Sequence, residues 1–597
     1  MRLTQEQERI VEAAGRGDHM KVKAYAGTGK TSTSVAMSEQ ALAGKRVLYL
    51  AFNKSIATEA ERKMPDHVDA KTAHSLAYRA TVATGRFSRD RLQRGTMPLV
   101  RAIEDDALVY EAANALGGED ARRRAAMATA QTITRYCQSD RELPTKRDVP
   151  SQLGAALAEK PRERAALFAA VASAAARVWE RMIEEGSTLP ITHDTYLKYF
   201  CLGDPELSYD AVILDEAQDS NPVLVRLVGS QGAAQQICLG DTWQSIYQWR
   251  GAVDAMRRLP GAEYPLTKSW RFGENIAGWA NLVLRMLGET RPLVGGGPVA
   301  GEILDDPELR GSGAVLCRGN AGVLRETLAA LDEGKRVAVV GGTDEVVRLM
   351  EAAYEMSLGG QARHAELALF SGWDEFREYS KTDEGTAYRP VVRIVEERGS
   401  GVPALCSRLK HEVTQEKNAE VIVSTGHKAK GREWNEVRFS DDFRPLVSVD
   451  PEVGPAPELN SPEANLVYVS ITRAMKRLNL GGFGAVLEGD AARLGVAPIQ
   501  EARASVPAPI APAKPPAPAP AASETPESRR RARGGKLAEN GKVRPDGDGR
   551  WGVEGSGGSE YEVRLVCECP DAAEGHVCKH VYGVLATLGA GAARGAA

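Results

Sequence analysis

One segment near the start of the chain, AYAGTGKT at residues 24–31, constrains the fold more than any other. It connects an apolar run with strand character, KVKAY at 21–25, to a helix-forming stretch that begins TSTSVAMSEQ. Strand, glycine loop and helix N-terminus in that order make a P-loop, in which backbone N–H groups and the positive end of the helix face phosphate oxygens. The pattern predicts a phosphate-binding loop on a parallel α/β sheet, with Ala24 in place of the usual first glycine.

The side chains of this loop indicate what binds there. Lys30 is placed to reach the β- and γ-phosphates of a nucleotide, and Thr31 to offer its hydroxyl to Mg²⁺. The nucleotide site is therefore expected to contain Ala26, Gly27, Thr28, Gly29, Lys30, Thr31 and Ser32. The competing interpretation is an ordinary glycine turn between a strand and a helix.

An acidic strand end supplies the second half of such a site. In DAVILDEAQD at 210–219, an apolar strand ends in Asp215 and Glu216, at the edge where open α/β sheets bind ligands. Asp215 is predicted to hold Mg²⁺, directly or through water, and Glu216 to act as general base on the attacking water. Alone, such a pair is a solvated strand end; combined with the GKT loop it predicts nucleotide hydrolysis.

The rest of the chain up to about residue 490 alternates short apolar runs with helical stretches, which is typical of parallel α/β units. Further strands are predicted at 46–50, 211–214, 236–239, 314–317, 336–340 and 420–423. Two regions lack strand patterns and predict helical insertions, one at about 85–190 and a smaller one at about 343–415. Cys137, Cys201, Cys238, Cys317 and Cys406 lie singly in apolar or helical contexts and are expected to be free and buried.

A Pro/Ala-rich stretch at 498–526 cannot bury a core and predicts a linker, with bounds of about 491–544. The 597 residues carry a formal net charge of -4, which excludes a wholly basic nucleic-acid binder. Residues 529–550, however, hold eight Lys or Arg against three Asp or Glu. This basic stretch is either a second nucleic-acid contact or a solvated end of the linker.

The C-terminal segment 545–597 contains CECPDAAEGHVCKH at 567–580. Its spacing, C-x-C-x8-C-x-H, predicts a closed tetrahedral zinc site with ligands Cys567, Cys569, Cys578 and His580. His576 lies in the intervening loop and is expected to be exposed. RWGVEGSGGSEYEV upstream predicts a short β-hairpin, and together these features resemble the SWIM zinc finger. The alternative is two unrelated cysteine pairs in a reduced protein.

Six further segments, taken together with the P-loop and DEAQD, resemble the motif set of the UvrD/Rep-like superfamily 1 helicases. In chain order the six are LTQEQ at 3–7, LAFNK around residue 53, GDTWQSIYQWRGA at 240–252, LTKSWR at 266–271, STGHKAKGREW at 424–434 and EANLVYVSITRA at 463–474. KTAHSLAY and ITHDTYLKYF are similar to the F-box DNA helicase branch of that family. Because the first motif begins at residue 3, no F-box and no ubiquitin-ligase function is expected.

The resemblance implies two RecA-like domains, at 1–265 and 266–490, with ATP in the cleft between them. Gln7 would contact adenine, Gln244 would sense the γ-phosphate, and Glu433 would bind the ribose. Arg271 and Arg473 would act as arginine fingers, which neutralise charge on the transferring phosphoryl group. The implied activity is ATP-dependent unwinding of DNA in the 3′ to 5′ direction, in repair or recombination.

The resemblance also implies a path for single-stranded DNA, which proteins grip by stacking on aromatic rings and by phosphate contacts. The implied DNA contacts are Asn53, Lys54, Thr72, His74, Tyr247, Trp249, Arg250 and His427. The family often has an aromatic residue two positions before the Asn of this motif, whereas Phe52 lies immediately before Asn53. Core packing and base stacking therefore remain two alternative roles for Phe52.

Three rival functions share these motifs: a translocase that strips proteins from DNA, an RNA helicase, and a recruitment protein with an inactive motor. The intact set of catalytic residues favours an enzyme over the last of these. The expected cofactors are ATP, Mg²⁺ and Zn²⁺, and the expected partners are single-stranded and duplex DNA and a repair or recombination protein at the zinc finger. The chain lacks an apolar run of membrane-spanning length and a signal-peptide core, so a cytoplasmic location is expected.

Overall fold

A computed structural model provides the fold of the chain in two units, residues 1–506 and 507–597. The residues described are 3–497 without 119, 158–159, 249–250, 307–312, 361–363, 365, 383–384, 386–387 and 449–456, and beyond them 543–545, 551–554 and 560–563.

The first sheet is built from six parallel strands in the spatial order β3-β2-β4-β5-β1-β6. They are β1 (Met20–Ala24), β2 (Val47–Leu50), β3 (Val68–Lys71), β4 (Ala211–Leu214), β5 (Gln235–Gly240) and β6 (Ala262–Leu266). Strands β2 and β4 are buried along their whole length, because helices cover both faces of a parallel sheet. The predicted strand at 211–214 coincides with β4, and the parallel α/β class is confirmed.

Helices follow or precede each strand of this sheet. They are α1 (Gln5–Gly15), α2 (Lys30–Gln40), α3 (Lys54–Lys63), α4 (Ala73–Thr81), α5 (Met97–Ile103), α6 (Tyr110–Leu116), α7 (Ala121–Cys137), α8 (Pro161–Ile183), α9 (His193–Leu202), α10 (Pro222–Gly229) and α11 (Ala255–Arg258). We call this sheet and its helices the first lobe. The long connection from β3 to β4, which contains α4 to α9, has its own apolar core, in which Trp179 packs edge-on against Tyr136 at 5.0 Å between ring centroids.

A buried lysine binds backbone carbonyl groups just after the C-terminal end of α7 within this helical insertion. Lys198 is fully buried on α9; its Nζ donates to the carbonyl oxygen of Ser139 at 2.7 Å and to that of Arg141, and it lies 4.4 Å from the centre of the Tyr136 ring. Burial lowers the pKa of Lys198 from 10.5 to about 8, because desolvation disfavours the charged ammonium.

This shift predicts how stability depends on pH. Between pH 8 and 10.5 the unfolded chain binds the Lys198 proton and the folded chain releases it, so folding becomes more favourable as pH rises, by about 1.4 kcal/mol per unit of pKa shift. The melting temperature of the wild type is therefore expected to rise relative to that of Lys198→Met across this window. A constant difference between the two proteins would show that the lysine titrates normally.

The second sheet also consists of six parallel strands, in the order β11-β12-β10-β13-β16-β9. They are β9 (Glu302–Leu304), β10 (Gly313–Cys317), β11 (Val337–Val339), β12 (Val421–Thr425), β13 (Trp434–Phe439) and β16 (Ala474–Asn479). Two short pairs accompany it, formed by β7 (Lys268–Ser269) with β8 (Val294–Gly295) and by β14 (Val447–Ser448) with β15 (Glu458–Leu459).

The helices of this second lobe are α12 (Glu274–Met286), α13 (Asn320–Asp332), α14 (Asp344–Ser357), α15 (Trp373–Lys381), α16 (Arg389–Arg398), α17 (Val402–His411), α18 (Ser461–Ile471) and α19 (Phe483–Arg493). Helices α14 to α17 lie between residues 343 and 415 and pack around a separate core that includes Phe376 and Val395. The five cysteines at 137, 201, 238, 317 and 406 are free and buried, as predicted.

In the second unit, the antiparallel strands β17 (Val543–Pro545), β18 (Trp551–Glu554) and β19 (Glu560–Val563) form one small sheet. The pairing of β18 with β19 confirms the predicted hairpin. The predicted zinc ligands Cys567, Cys569, Cys578 and His580 lie outside the described residues, and the ranges that are described contain no metal-binding cluster of His, Cys, Asp or Glu. Each helix in those ranges is too short or too polar to cross a bilayer.

Candidate nucleotide and DNA site

The predicted phosphate loop lies at the carboxyl end of β1, directly before α2. Gly27 and Gly29 take positive φ angles of 74° and 85°, a region that only glycine enters readily. Lys30 is the first residue of α2, so the free N–H groups of the first helical turn surround the loop. Gly27 is also a point of close approach, because a Cβ there would lie 2.6 Å from Ser269 Oγ and 2.7 Å from Arg271 Cβ.

Lys30 and the acidic pair from the end of β4 meet in this loop. Lys30 Nζ lies 2.5 Å from Glu216 Oε1, and Asp215 accepts hydrogen bonds from the Tyr49 hydroxyl at 2.5 Å and from the Glu216 N–H at 2.9 Å. Glu216 adopts the left-handed conformation, with φ 49° and ψ 41°, which is uncommon for a residue with a side chain. This turn directs its carboxylate back toward Lys30.

The pKa values of the two carboxylates in the acidic pair are shifted in opposite directions. Burial works to raise the pKa of Glu216, but Lys30 and Lys430 outweigh it and lower the pKa to about 2. Burial raises the pKa of Asp215 in spite of the nearby Lys30. The pKa of Lys30 is raised because Glu216 and Asp215 overcome its own burial. Glu216 is thus a carboxylate and Lys30 an ammonium at neutral pH.

Arg473 approaches the same site from the second lobe and is almost completely buried. Its guanidinium donates to the carbonyl oxygens of Val469 at 2.9 Å and Arg432 at 3.1 Å, and to Gln244 Oε1 at 3.4 Å. Burial, reinforced by the nearby Arg271, lowers the pKa of Arg473 to about 9. Gln244, from the end of β5, therefore touches the predicted finger across the junction of the lobes.

Arg271 and Glu433 form a second contact at this junction. Arg271 Nε donates to Glu433 Oε2 at 2.7 Å and Nη1 donates to the Thr472 carbonyl at 3.0 Å. Because the backbone at Arg271 also lies against Gly27, the predicted finger and the predicted ribose contact both lie beside the phosphate loop.

Gln7 has a structural role beside the loop. It is the third residue of a capping box with Thr4, in which Thr4 N–H donates to Gln7 Oε1 at 3.0 Å. Its Nε2 donates to Thr33 Oγ1 on α2 at 3.0 Å. Gln7, the predicted adenine contact, is thus buried against α2, the helix that follows the phosphate loop.

On the predicted DNA side, Tyr247 and His427 lie together. The Tyr247 hydroxyl donates to the His427 carbonyl at 3.1 Å, and the two ring centroids are 6.4 Å apart. Lys430 Nζ lies 5.6 Å from the centre of the Tyr247 ring, pairs with Asp219 and donates to the Gln244 carbonyl at 2.5 Å. Trp249 and Arg250 lie outside the described residues.

Two of the other predicted DNA contacts cap helices. Asn53 accepts from Ile56 N–H at 2.9 Å at the start of α3, and Thr72 accepts from Ser75 N–H at 3.2 Å at the start of α4. Lys54 is exposed beside Asn53. His74 Nε2 lies 3.0 Å from Asp194 Oδ1. Phe52 is 50% exposed, which excludes the core-packing interpretation and leaves its ring on the surface.

Comparison with known proteins bears on this arrangement. Residues 3–256 match the model of the UvrD/REP helicase N-terminal domain. The first lobe is therefore similar to that helicase domain. Over 519 residues the chain is 29% identical to F-box DNA helicase protein 1 of Schizosaccharomyces pombe, covering 80% of this chain and 57% of that protein. Over 520 residues it is 30% identical to F-box DNA helicase 1 of Gallus gallus, covering 80% and 49%. The chain thus spans about half the length of these relatives.

Sequence reasoning missed three residues at the junction of the two lobes. Trp270 is 47% exposed and lies beside the phosphate loop, where its backbone N–H donates to the Gly27 carbonyl at 2.9 Å. Lys268 Nζ lies 4.3 Å from the centre of its ring. Lys430 joins Asp219 to Gln244, and Tyr468 joins the loop to Asp241. All three lie inside recognised motifs, so a residue-by-residue check of each motif would have found them.

Proposed function

We propose that this chain is an ATP-dependent DNA helicase, which hydrolyses ATP to move along single-stranded DNA and separate the duplex ahead. The observation that carries the proposal is a hydrogen-bonded connection between two contacts at the junction of the two parallel α/β lobes. Lys30 pairs with Glu216 in the first lobe, and Gln244 of that lobe accepts from the buried Arg473 of the second. Gln218 and Asp241 join the two contacts. An ATPase site divided between two lobes can convert hydrolysis into relative motion of the lobes.

The residues present fit a magnesium nucleotide. Lys30 and the amides of the loop would hold the phosphates, with Thr31 and Asp215 as the Mg²⁺ ligands; the ion would neutralise phosphate charge. A phosphate that competes with Glu216 for Lys30 frees the carboxylate to orient and deprotonate the attacking water. Arg473 and Arg271 would stabilise charge on the transferring group, and the exposed Trp270 ring offers a stacking surface for adenine.

The domain division we propose has RecA-like domains at 1–265 and 266–490, a linker at 491–544 and a zinc module at 545–597. It is supported by the first sheet, whose last strand ends at Leu266, and by the second sheet, whose first strand starts at Glu302.

The coupling of ATP to DNA is supported by the segment after β5. Only two residues separate Gln244, which touches Arg473, from Tyr247, whose ring lies beside Lys430 and His427. A displacement of Gln244 during hydrolysis is therefore expected to move an aromatic side chain that stacks on a base.

Strand displacement on duplexes with a 3′ or a 5′ single-stranded tail tests activity and direction together. We expect ATP-dependent unwinding of the 3′-tailed DNA and little of the 5′-tailed one. ATP hydrolysis stimulated by single-stranded DNA without any unwinding would favour the protein-stripping translocase. Stronger stimulation by RNA would favour an RNA helicase, and no hydrolysis would indicate an inactive motor.

We further propose that Cys567, Cys569, Cys578 and His580 bind zinc and that the module contacts DNA or a repair or recombination protein. Support comes from the donor set, since three thiolates and one imidazole suit Zn²⁺. Zinc measured on the purified full chain should approach one ion per molecule and fall in Cys578→Ser. His576→Ala, which alters the intervening loop, should retain the metal; an equal loss in both variants would contradict the ligand assignment.

A further inference from the structure

Tyr468 connects the two lobes through its hydroxyl group. It lies on α18 of the second lobe and is completely buried. The hydroxyl accepts a hydrogen bond from the Ala26 N–H of the phosphate loop at 3.3 Å and donates one to Asp241 Oδ2 at 2.9 Å. One side chain of the second lobe therefore contacts both the loop after β1 and the segment after β5.

The Asp241 carboxylate extends this contact toward the arginine. Asp241 Oδ2 also accepts from Gln244 Nε2 at 2.7 Å, and Oδ1 accepts from Trp243 N–H at 3.2 Å. Gln244 Oε1 in turn accepts from Arg473 Nη2 at 3.4 Å. A continuous series of hydrogen bonds thus runs from the Ala26 amide through Tyr468, Asp241 and Gln244 to Arg473.

A second branch returns to the acidic pair. Asp241 N–H donates to Gln218 Oε1 at 3.0 Å, and Gln218 Nε2 donates to Glu216 Oε2 at 2.6 Å. Asp241 is therefore held by groups that contact Glu216, Arg473 and the phosphate loop. In a water-excluded network of this kind, the hydrogen bonds strengthen one another, and the loss of one donor is felt along the series.

We infer that Tyr468 is a positioning residue that transmits the state of the phosphate loop to Gln244 and Arg473, and through that segment to the DNA side. This inference deepens the proposed helicase function and rests on it. A shift of the loop changes the distance from Ala26 to the hydroxyl, which changes how firmly Tyr468 holds Asp241. Asp241 fixes the amide of Gln244, and Gln244 touches the finger.

The chemistry of a buried phenol suits this role. Burial and the neighbouring Asp241 raise the pKa of Tyr468 well above its usual value, so the hydroxyl keeps its proton and remains a donor to the carboxylate. Phenylalanine at this position would keep the ring in the apolar core of the second lobe and remove only the oxygen.

Tyr468→Phe is the test, with Tyr136→Phe as its matched control. Tyr136 is also buried, and its hydroxyl donates to the Glu142 carbonyl at 2.5 Å within the helical insertion, away from the network. Tyr468→Phe is expected to lower the kcat of DNA-stimulated ATP hydrolysis by about tenfold or more, the loss typical of a hydrogen bond to a buried charged group. The KM for ATP should change by less than about threefold, because the nucleotide ligands remain.

A double-mutant cycle that combines Tyr468→Phe with Asp241→Asn, with kcat as the readout, tests whether Tyr468 acts through Asp241. If Tyr468 acts through Asp241, the double variant should be no slower than Asp241→Asn alone. Additive losses, an unchanged kcat in Tyr468→Phe, or equal losses in Tyr136→Phe would each overturn the inference.

Hydrogen–deuterium exchange with Mg²⁺ and a non-hydrolysable ATP analogue separates this inference from the helicase proposal, since it needs no turnover. In the wild type the analogue should protect residues 26–34 and alter exchange at 240–247. In Tyr468→Phe the protection at 26–34 should remain and the change at 240–247 should disappear. If exchange at 240–247 does not change in the wild type, or changes equally in both proteins, the positioning role of Tyr468 is wrong even if the chain unwinds DNA.

Discussion

Lys30→Ala is expected to abolish DNA-stimulated ATP hydrolysis, with a loss of at least about 10²-fold. Lys30 directly follows Gly29 of the glycine loop, and its Nζ lies 2.5 Å from Glu216 Oε1. Its removal takes away a preorganised positive charge that would face the transferring phosphoryl group, which typically costs 10² to 10³ in rate. The measurement is steady-state ATP hydrolysis with single-stranded DNA.

The Lys30 variant also removes the ion-pair partner of Glu216 and a cation close to Asp215, which is expected to lower stability. Glu216→Gln separates chemistry from folding, since glutamine keeps the shape and an acceptor for Lys30 but cannot take a proton from water. Both variants should lose turnover, and Glu216→Gln should keep a near-normal melting temperature. Lys63→Ala, which removes an exposed lysine paired with Glu59 on α3, is the control and should hydrolyse ATP normally. Normal turnover in either site variant would contradict the assignment.

Arg473→Lys is expected to reduce hydrolysis by about 10³-fold or more while ATP still binds. Arginine fingers contribute 10³ to 10⁵ in rate where they have been measured. The guanidinium of Arg473 makes hydrogen bonds in several directions, to Val469, Arg432, Thr472 and Gln244. A lysine ammonium cannot reproduce that planar set of donors. ATP affinity and single-turnover hydrolysis, measured separately, test this expectation.

Arg477→Lys provides a matched control on β16. The Arg477 side chain is partly exposed and pairs with Glu302 at 2.7 Å, so an ammonium can replace its guanidinium at little cost. If Arg473→Lys hydrolyses ATP within about threefold of the wild type, the finger role of Arg473 is wrong, whatever the fate of Arg477→Lys.

Local patterns allowed much of the fold to be predicted. The strand at 211–214, the glycine turn before α2 and the C-terminal hairpin each depend on neighbouring residues, and each occurs where its pattern placed it. The capping box of Thr4 and Gln7 was also readable, since its T-x-x-Q spacing is a helix-start signal. Asn53 and Thr72 are common N-cap residue types as well, and both cap helices in the structure.

Long-range pairing could not be predicted in the same way. The strand order β3-β2-β4-β5-β1-β6 joins segments that are separated by more than a hundred residues. Likewise, the contact between Tyr468 and Ala26 spans 442 positions of sequence. A motif marks such a residue as part of a set, but it does not indicate which atom the side chain meets.

The sequence by itself determined the chemistry available to this protein: a glycine loop with Lys30, an acidic pair after an apolar strand, and two arginines in family order. The loop and the acidic pair follow from local spacing, because a strand end and a helix start present their residues predictably; the two arginines follow from the resemblance to the helicase motifs. Only the tertiary structure decided that Arg473 is buried against Gln244, that Lys30 pairs with Glu216, and that one tyrosine hydroxyl joins the lobes. The physical reason is that hydrogen bonds and ion pairs depend on ångström-scale distances, which the packing of the two sheets sets.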